Sequence, residues 1–205
     1  MAKTRRLLQE QLRVVDAVIE LCDARAPLAT RNPDLERLTR DKARLLILNK
    51  ADLASDSDTA RWLEYFRRQG LTAMRFNSNG GKIKDILARI AEATKPVADK
   101  YAARGVKKTI RMMVVGIPNV GKSTFINRLY GGSVTETGDR PGVTKSNRWV
   151  KVTPYLEVLD TPGMLWPKLN DQRAATRLAY IGTIRDAVYN QEELCVSLLE
   201  DLMTL

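Results

Sequence analysis

Apolar residues in this chain fall into two alternating kinds of segment. Within TRRLLQEQLRVVDAV, Leu7, Leu8, Leu12 and Val15 recur at helical spacing, predicting an amphipathic helix whose Arg5, Arg6 and Arg13 face water. AVIELCDARAP and RLLILNKAD are instead short, nearly continuous apolar runs, the first closed by a turn at Pro27 and the second by a polar loop. They predict central strands covered on both faces. SDSDTARWLEYFRRQG carries serine and aspartate cap candidates and a terminal glycine, predicting a helix from about Ser57 to Gln69. LTAMRFNSNGG reads as a strand and loop. KIKDILARIAEATK and its continuation to about Ala103 read as a long helix with Pro96 as a candidate kink. Next come a strand, glycine-rich loop and helix in IRMMVVGIPNVGKSTFINRLY, then two strands about Pro154 in RWVKVTPYLEVLDTPG. Such alternation predicts an α/β fold with a mostly parallel sheet covered on both faces. Past Asp171 only helical periodicity remains, dividing the chain into a 1–170 domain and a 171–205 segment that reads as the start of a helical C-terminal domain.

Composition narrows the class. The 205 residues are 44% hydrophobic and 28% charged, enough for a sizeable core, and no apolar run approaches the roughly 18 residues of a membrane span. The basic start lacks a long apolar stretch with a cleavage site, so a cytoplasmic protein is expected. Cys22 and Cys195, with no histidine in the sequence, cannot make a four-ligand zinc site, and both are expected to be reduced and buried. A net charge of +10 favours a polyanionic partner, RNA first, with Arg5, Arg6, Lys107, Lys108, Arg140 and Lys145 as nominated contacts.

The chemistry sits in four phrases. GIPNVGKS places Gly116 and Gly121 in the glycine positions of a phosphate loop, followed by Lys122 and Ser123, between a strand and a helix. Backbone N–H groups of Asn119, Val120, Gly121, Lys122, Ser123 and Thr124 and the helix N-terminus would cradle phosphate; the Lys122 amine would sit near the β and γ phosphates, and Ser123 would ligate Mg2+. In NKAD, the Asp52 carboxylate can accept from the ring N–H and exocyclic amine of guanine, a donor pair adenine lacks. Asn49 can serve the purine edge and bridge to the phosphate loop, the Lys50 stem can cover the base, and Ala51 completes the phrase. GTP is therefore preferred over ATP. LDTPG supplies Asp160 for a Mg2+ water and Gly163 for the γ-phosphate; RPGVT supplies Thr144 as a second Mg2+ ligand. In FNSNGG, Asn77, Ser78 and Asn79 either line the base or form a simple turn.

The guanine phrase precedes the phosphate loop, the reverse of the ordinary order. With MAKTRR, ELCDARAPLATRNP, GDRPGVT and LDTPGMLWPK, the set resembles the YlqF/RbgA family of circularly permuted ribosome-assembly GTPases over nearly the whole chain. The resemblance implies a Ras-like P-loop GTPase fold with permuted connectivity, a helical C-terminal domain, and GTP hydrolysis linked to late maturation of the large (50S) ribosomal subunit. Partners would be the subunit precursor's rRNA and proteins, met by a monomer. Asn119 stands where GTPases that use K+ carry asparagine, which makes K+ a candidate beside Mg2+.

At the position where many GTPases carry a water-orienting glutamine, this chain has Met164, which cannot hydrogen-bond water, so hydrolysis is expected to be slow without an outside group. The resemblance implies a histidine just ahead of the MAK phrase. The sequence contains none, so either that residue has been lost or the chain is shortened at this end, and the helical domain is likewise expected to be cut short. Two functions stay open: a ribosome-stimulated GTPase, with Lys122, Thr144 and Gly163 as the catalytic set, or a nucleotide-gated ribosome-binding module with little turnover.

Overall fold

The computed structural model describes residues 2–135, 148–162, 172–184 and 189–204. In chain order these form α1 (Ala2–Leu12), β1 (Ala17–Asp23), short α2 (Pro27–Thr30) and α3 (Leu35–Leu38), then β2 (Ala43–Asn49), α4 (Asp56–Arg68) and β3 (Ala73–Arg75). There follow α5 (Ile83–Ala102), β4 (Ile110–Val115), α6 (Lys122–Tyr130), β5 (Arg148–Thr153), β6 (Leu156–Asp160), α7 (Gln172–Tyr180) and α8 (Gln191–Met203).

The strands form one sheet in the order β3-β2-β1-β4-β6-β5, parallel except for β5, which runs antiparallel to β6. β1 and β2 are mostly apolar because both faces are covered. Ile19, Leu21, Ile47, Met112 and Val114 meet Ile86 and Ile90 of α5 and Phe125 and Ile126 of α6. On the opposite face Val18, Met113 and Val115 meet Leu8 and Leu12 of α1, while Cys22, Leu46 and Leu48 pack on Phe66 of α4. Each of those large side chains contributes about 1.5–3 kcal/mol on burial. α4 is capped by the Ser55 Oγ, which accepts the Asp58 N–H at 3.3 Å, and Arg67 and Arg68 lie in its last turn.

Two expectations need adjustment. α1 stops at Leu12, before Val15, because the Asp16 N–H bonds the Arg111 carbonyl at 2.7 Å and draws the chain into the sheet. Val15 remains buried, packed from the turn rather than the helix. As predicted, α5 is one long helix with Pro96 inside it; Pro96 and Glu92 are both exposed, so water can serve the carbonyl that loses its donor. Cys195 is exposed on α8, a helix with no buried residue, and only Cys22 is buried.

The parallel arrangement puts the C-terminal ends of β1, β2, β4 and β6 along one edge, the edge of such sheets where ligands bind. β1, the first strand of the chain, lies between β2, which leads into NKAD, and β4, which leads into GIPNVGKS. Permuted chain order therefore leaves the two phrases neighbours in space. α7 adds Leu178 to the main core, whereas α8 is tied to it through Tyr180, whose hydroxyl meets Ser197 Oγ at 2.9 Å and Asp201 Oδ2 at 3.2 Å. Among the described residues no helix is long and apolar enough to cross a membrane.

Candidate nucleotide site

The phosphate loop is tight for a steric reason. A Cβ at Gly116 would lie 2.6 Å from the Leu21 carbonyl, so only glycine lets the loop leave β4 this close to β1. Gly121 has φ +92°, and a Cβ there would lie 2.5 Å from Asn49 Nδ2. Asn119 also adopts a left-handed conformation, φ 61°, and its Nδ2 donates to the Gly182 carbonyl at 2.7 Å, joining the loop to the end of α7. Gly121→Ala combines a left-handed penalty of about 1–2 kcal/mol with displacement of the Asn49 amide. Thermal melting and nucleotide titration should therefore show stability and affinity falling together; a variant with an unchanged melting temperature would contradict this packing.

Lys122 begins α6 and is buried, its Nζ donating to the Ile117 carbonyl of its own loop at 2.9 Å. Burial pulls its pKa down to about 8 against the opposing pull of Asp160. β6 runs beside β4 with Val114 opposite Asp160, and Thr161 Oγ1 donates to the Val114 carbonyl at 2.7 Å, which sets Asp160 against the phosphate loop. Burial raises the Asp160 carboxyl to about 6, more than Lys122 and the Thr161 N–H lower it. Its Oδ1 is buried without a hydrogen-bond partner among the described residues, and an anionic oxygen so placed fits a hydrated divalent cation. Ser123 follows Lys122, its carbonyl accepting the Thr135 hydroxyl at 3.1 Å, and Thr124 continues the same helix.

Asn49 ends β2 and is 1% exposed. Its Nδ2 donates to the Val120 carbonyl at 2.8 Å, and its Oδ1 accepts both the Ser78 N–H at 3.1 Å and the Ser78 hydroxyl at 2.8 Å. One side chain thus spans the guanine phrase, the phosphate loop and FNSNGG. Asn77 folds its loop locally: its Oδ1 accepts the Asn79 N–H at 2.7 Å and its carbonyl the Gly81 N–H at 2.6 Å. Lys50 takes the left-handed conformation at φ 56°, and Ala51 starts a 3-10 turn that leaves Asp52 exposed at the rim. A hollow of about 310 Å3 lined by Ala51, Asp52, Phe76 and Asn77 opens there.

Sequence reasoning assigned no role to Asp23 or Arg25. Asp23 ends β1 directly opposite Asn49 in the sheet register, buried and paired with both Arg25 and Lys50. Its signal was an acidic residue closing a strand that is apolar apart from Glu20. Of the nominated RNA contacts, Lys108 is committed to an ion pair with Asp16 and lies over the Tyr101 ring, Lys107 lies over the Tyr155 ring, and Arg6 pairs with Glu10. Among the described residues no cluster of three or more His, Cys, Asp or Glu side chains could hold a metal. The side chain of Arg5, and Arg140, Thr144, Lys145, Gly163 and Met164 altogether, lie outside the described residues.

The family model described as 50S ribosome-binding GTPase matches residues 111–198. A protein named ribosome biogenesis GTPase A from Bacillus licheniformis is 48% identical over 198 residues, 96% of this chain and 70% of that protein. Its namesake from Bacillus cereus is 46% identical over 96% of this chain and 67% of its own length. Among solved structures, GNP-bound YlqF from T. maritima aligns with a TM-score of 0.72 at 27% identity, covering 97% of this chain and 73% of that one. With its sheet, its permuted motif order and these relatives, the chain belongs to the ribosome biogenesis GTPase A (YlqF/RbgA) family.

Proposed function

We propose that this chain binds GTP and GDP with Mg2+ along the C-terminal edge of its sheet, and hydrolyses GTP in late assembly of the large ribosomal subunit. One observation carries the reading: the Asn49 amide joins Val120 of the phosphate loop to Ser78, so one side chain ties NKAD, GIPNVGKS and FNSNGG together.

In this reading Asp52 accepts the two guanine donors, the Lys50 stem covers the base, and Ala51, Asn77 and Ser78 line its other edge. Backbone N–H groups from Asn119 to Thr124 and the N-terminus of α6 receive the phosphates. Lys122, which uses the Ile117 carbonyl as its partner here, exchanges it for phosphate oxygen. Ser123 and Thr144 would hold Mg2+ with Asp160 through water; when bound, the ion neutralises charge developing between the β and γ phosphates. Gly163 offers its N–H to the γ-phosphate, and the Asn119 carbonyl oxygen is the candidate K+ ligand. Met164 cannot orient the attacking water, so turnover depends on a group supplied by the partner. That partner is the precursor of the large subunit, in the cytoplasm, met by a monomer through rRNA and protein surfaces. The T. maritima relative has been solved with GNP and with GDP, which supports the choice of base.

Single-turnover hydrolysis of radiolabelled GTP, with and without large subunits and in K+ or Na+, tests this. The expected result is slow hydrolysis alone, acceleration by subunits and a higher rate in K+. No stimulation would leave a nucleotide-gated binding module, and equal rates in the two salts would remove K+.

A further inference from the structure

Asp23 lies where a carboxylate is costly unless it is fully used. It is 1% exposed at the end of a strand whose other members are almost all apolar. All its acceptor capacity is turned to one side. Oδ1 accepts the Arg25 N–H at 3.0 Å and Arg25 Nε at 2.9 Å; Oδ2 accepts Arg25 Nη2 at 2.7 Å and lies 3.3 Å from Lys50 Nζ. The Asp23 N–H is occupied separately, by Thr30 Oγ1 at 3.1 Å. The contact to Arg25 is a two-pronged fork, the strong form of such a pair. Burial alone would raise the Asp23 carboxyl, but Arg25 and Lys50 outweigh it and hold the group ionised, below the usual range.

The two cations are not core residues. Their side chains are 29% and 27% exposed; Lys50 sits between Asn49 and Asp52 in the chain, and Arg25 lies close enough to Asp52 to feel its charge. Lys50 is also one of two non-glycine residues with positive φ among the described residues, a conformation costing on the order of 1 kcal/mol for a side chain of this kind. Its neighbours fix the backbone: the Ala24 N–H reaches the Asn49 carbonyl at 2.8 Å and the Ala51 N–H the Phe76 carbonyl at 3.2 Å. Without Asp23, the four-carbon stem of Lys50 would still be free to swing into water, losing much rotamer entropy on covering a base.

We infer that Asp23 is a positioning residue for guanine recognition: its buried carboxylate anchors the Lys50 ammonium, so that the Lys50 stem is already laid where the base stacks, while the Arg25 fork keeps that carboxylate charged and correctly turned. The inference rests on the proposed placement of guanine against NKAD. Asp23 touches no part of the nucleotide and acts through Lys50, so its effect exists only while Lys50 is present.

A double-mutant cycle in the full chain reads this directly. With fluorescent GDP titration, Asp23→Asn and Lys50→Met are each expected to weaken binding by roughly tenfold, the size of one lost charge-assisted contact, and the double variant by no more than either. Multiplicative losses, or a tenfold loss in Asp23→Asn that persists in the Lys50→Met background, would overturn the inference and leave Asp23 a merely structural ion pair. If Lys50→Met has no effect on GDP, the placement of the base fails together with the inference; if it weakens GDP while Asp23→Asn does not, only the inference fails. A second measurement covers a poorly folding Asp23→Asn. In the nucleotide-free wild-type protein, the Lys50 ammonium should give an observable 1H–15N correlation in NMR, assigned by its disappearance in Lys50→Met, because an anchored ammonium exchanges slowly. Its absence would show an unanchored side chain and overturn the inference.

Discussion

Replacing Asp52 by asparagine is expected to turn a guanine binder into a xanthine binder. In the proposed pose the two carboxylate oxygens accept from the ring N–H and the exocyclic amine of guanine. Asparagine keeps one acceptor and turns an NH2 donor toward the other guanine donor, so one bond is lost and a donor faces a donor. Hydrogen bonds to a charged group contribute about 1.5–3 kcal/mol each, so GDP affinity should fall by roughly a hundredfold. Xanthine presents an oxygen where guanine carries its amine and pairs with the new NH2, so xanthosine diphosphate should gain. Asp52 is exposed in a short 3-10 turn and holds no core contact, so the melting temperature should hardly move. Competition titration with the two diphosphates measures the switch. A variant that still prefers GDP would remove base recognition from Asp52.

The second large effect comes from Lys122 and Asp160 and is a pH dependence whose two limbs belong to different residues. In the nucleotide-free protein Lys122 titrates at about 8 because burial disfavours its charge. Phosphate favours that charge, so above about 8 binding must take up a proton, and affinity falls as pH rises. Asp160 titrates at about 6 because burial favours its neutral form. A bound divalent cation needs the carboxylate, so below about 6 binding must expel a proton, and affinity falls as pH drops. Binding of GDP with Mg2+ should therefore plateau between about 6 and 8. Lys122→Met should lower the plateau by about a hundredfold or more and abolish the alkaline limb while keeping the acid one. An alkaline limb that survives in Lys122→Met would assign it elsewhere. The same shift bears on folding: with a folded pKa near 8 and an unfolded value of 10.5, the folded form binds fewer protons across that window, so stability without nucleotide should rise with pH there.

These effects share an origin in the way β1 divides the site. In the proposed pose Asn49, Ser78, Lys122 and Asp160 are delivered by the ends of the parallel strands β2, β3, β4 and β6 or the loops that follow them, and they meet because neighbouring strands end along the same edge. Chain order is immaterial to that arrangement. This is why a sequence that reaches NKAD before GIPNVGKS builds the same edge as one that reaches them in the opposite order.

The sequence by itself determined what depends on local pattern. Runs such as LLILN and MMVV declare buried parallel strands, glycines at 116 and 121 declare a loop that only a missing side chain permits, and the contiguous phrases NKAD and GIPNVGKS carry their chemistry in residue type and spacing. Tertiary structure alone decided what depends on register and burial. That Asp23 lies opposite Asn49, that Ser78 rather than another loop residue meets the Asn49 amide, and that Asp16 claims Lys108 all follow from strand alignment across many intervening residues, which no local periodicity encodes. The same holds for Cys195, placed on an exposed helix, and for the shifted pKa values of Lys122 and Asp160. Desolvation is a property of everything packed around a group, and it exists only once the chain has closed around it.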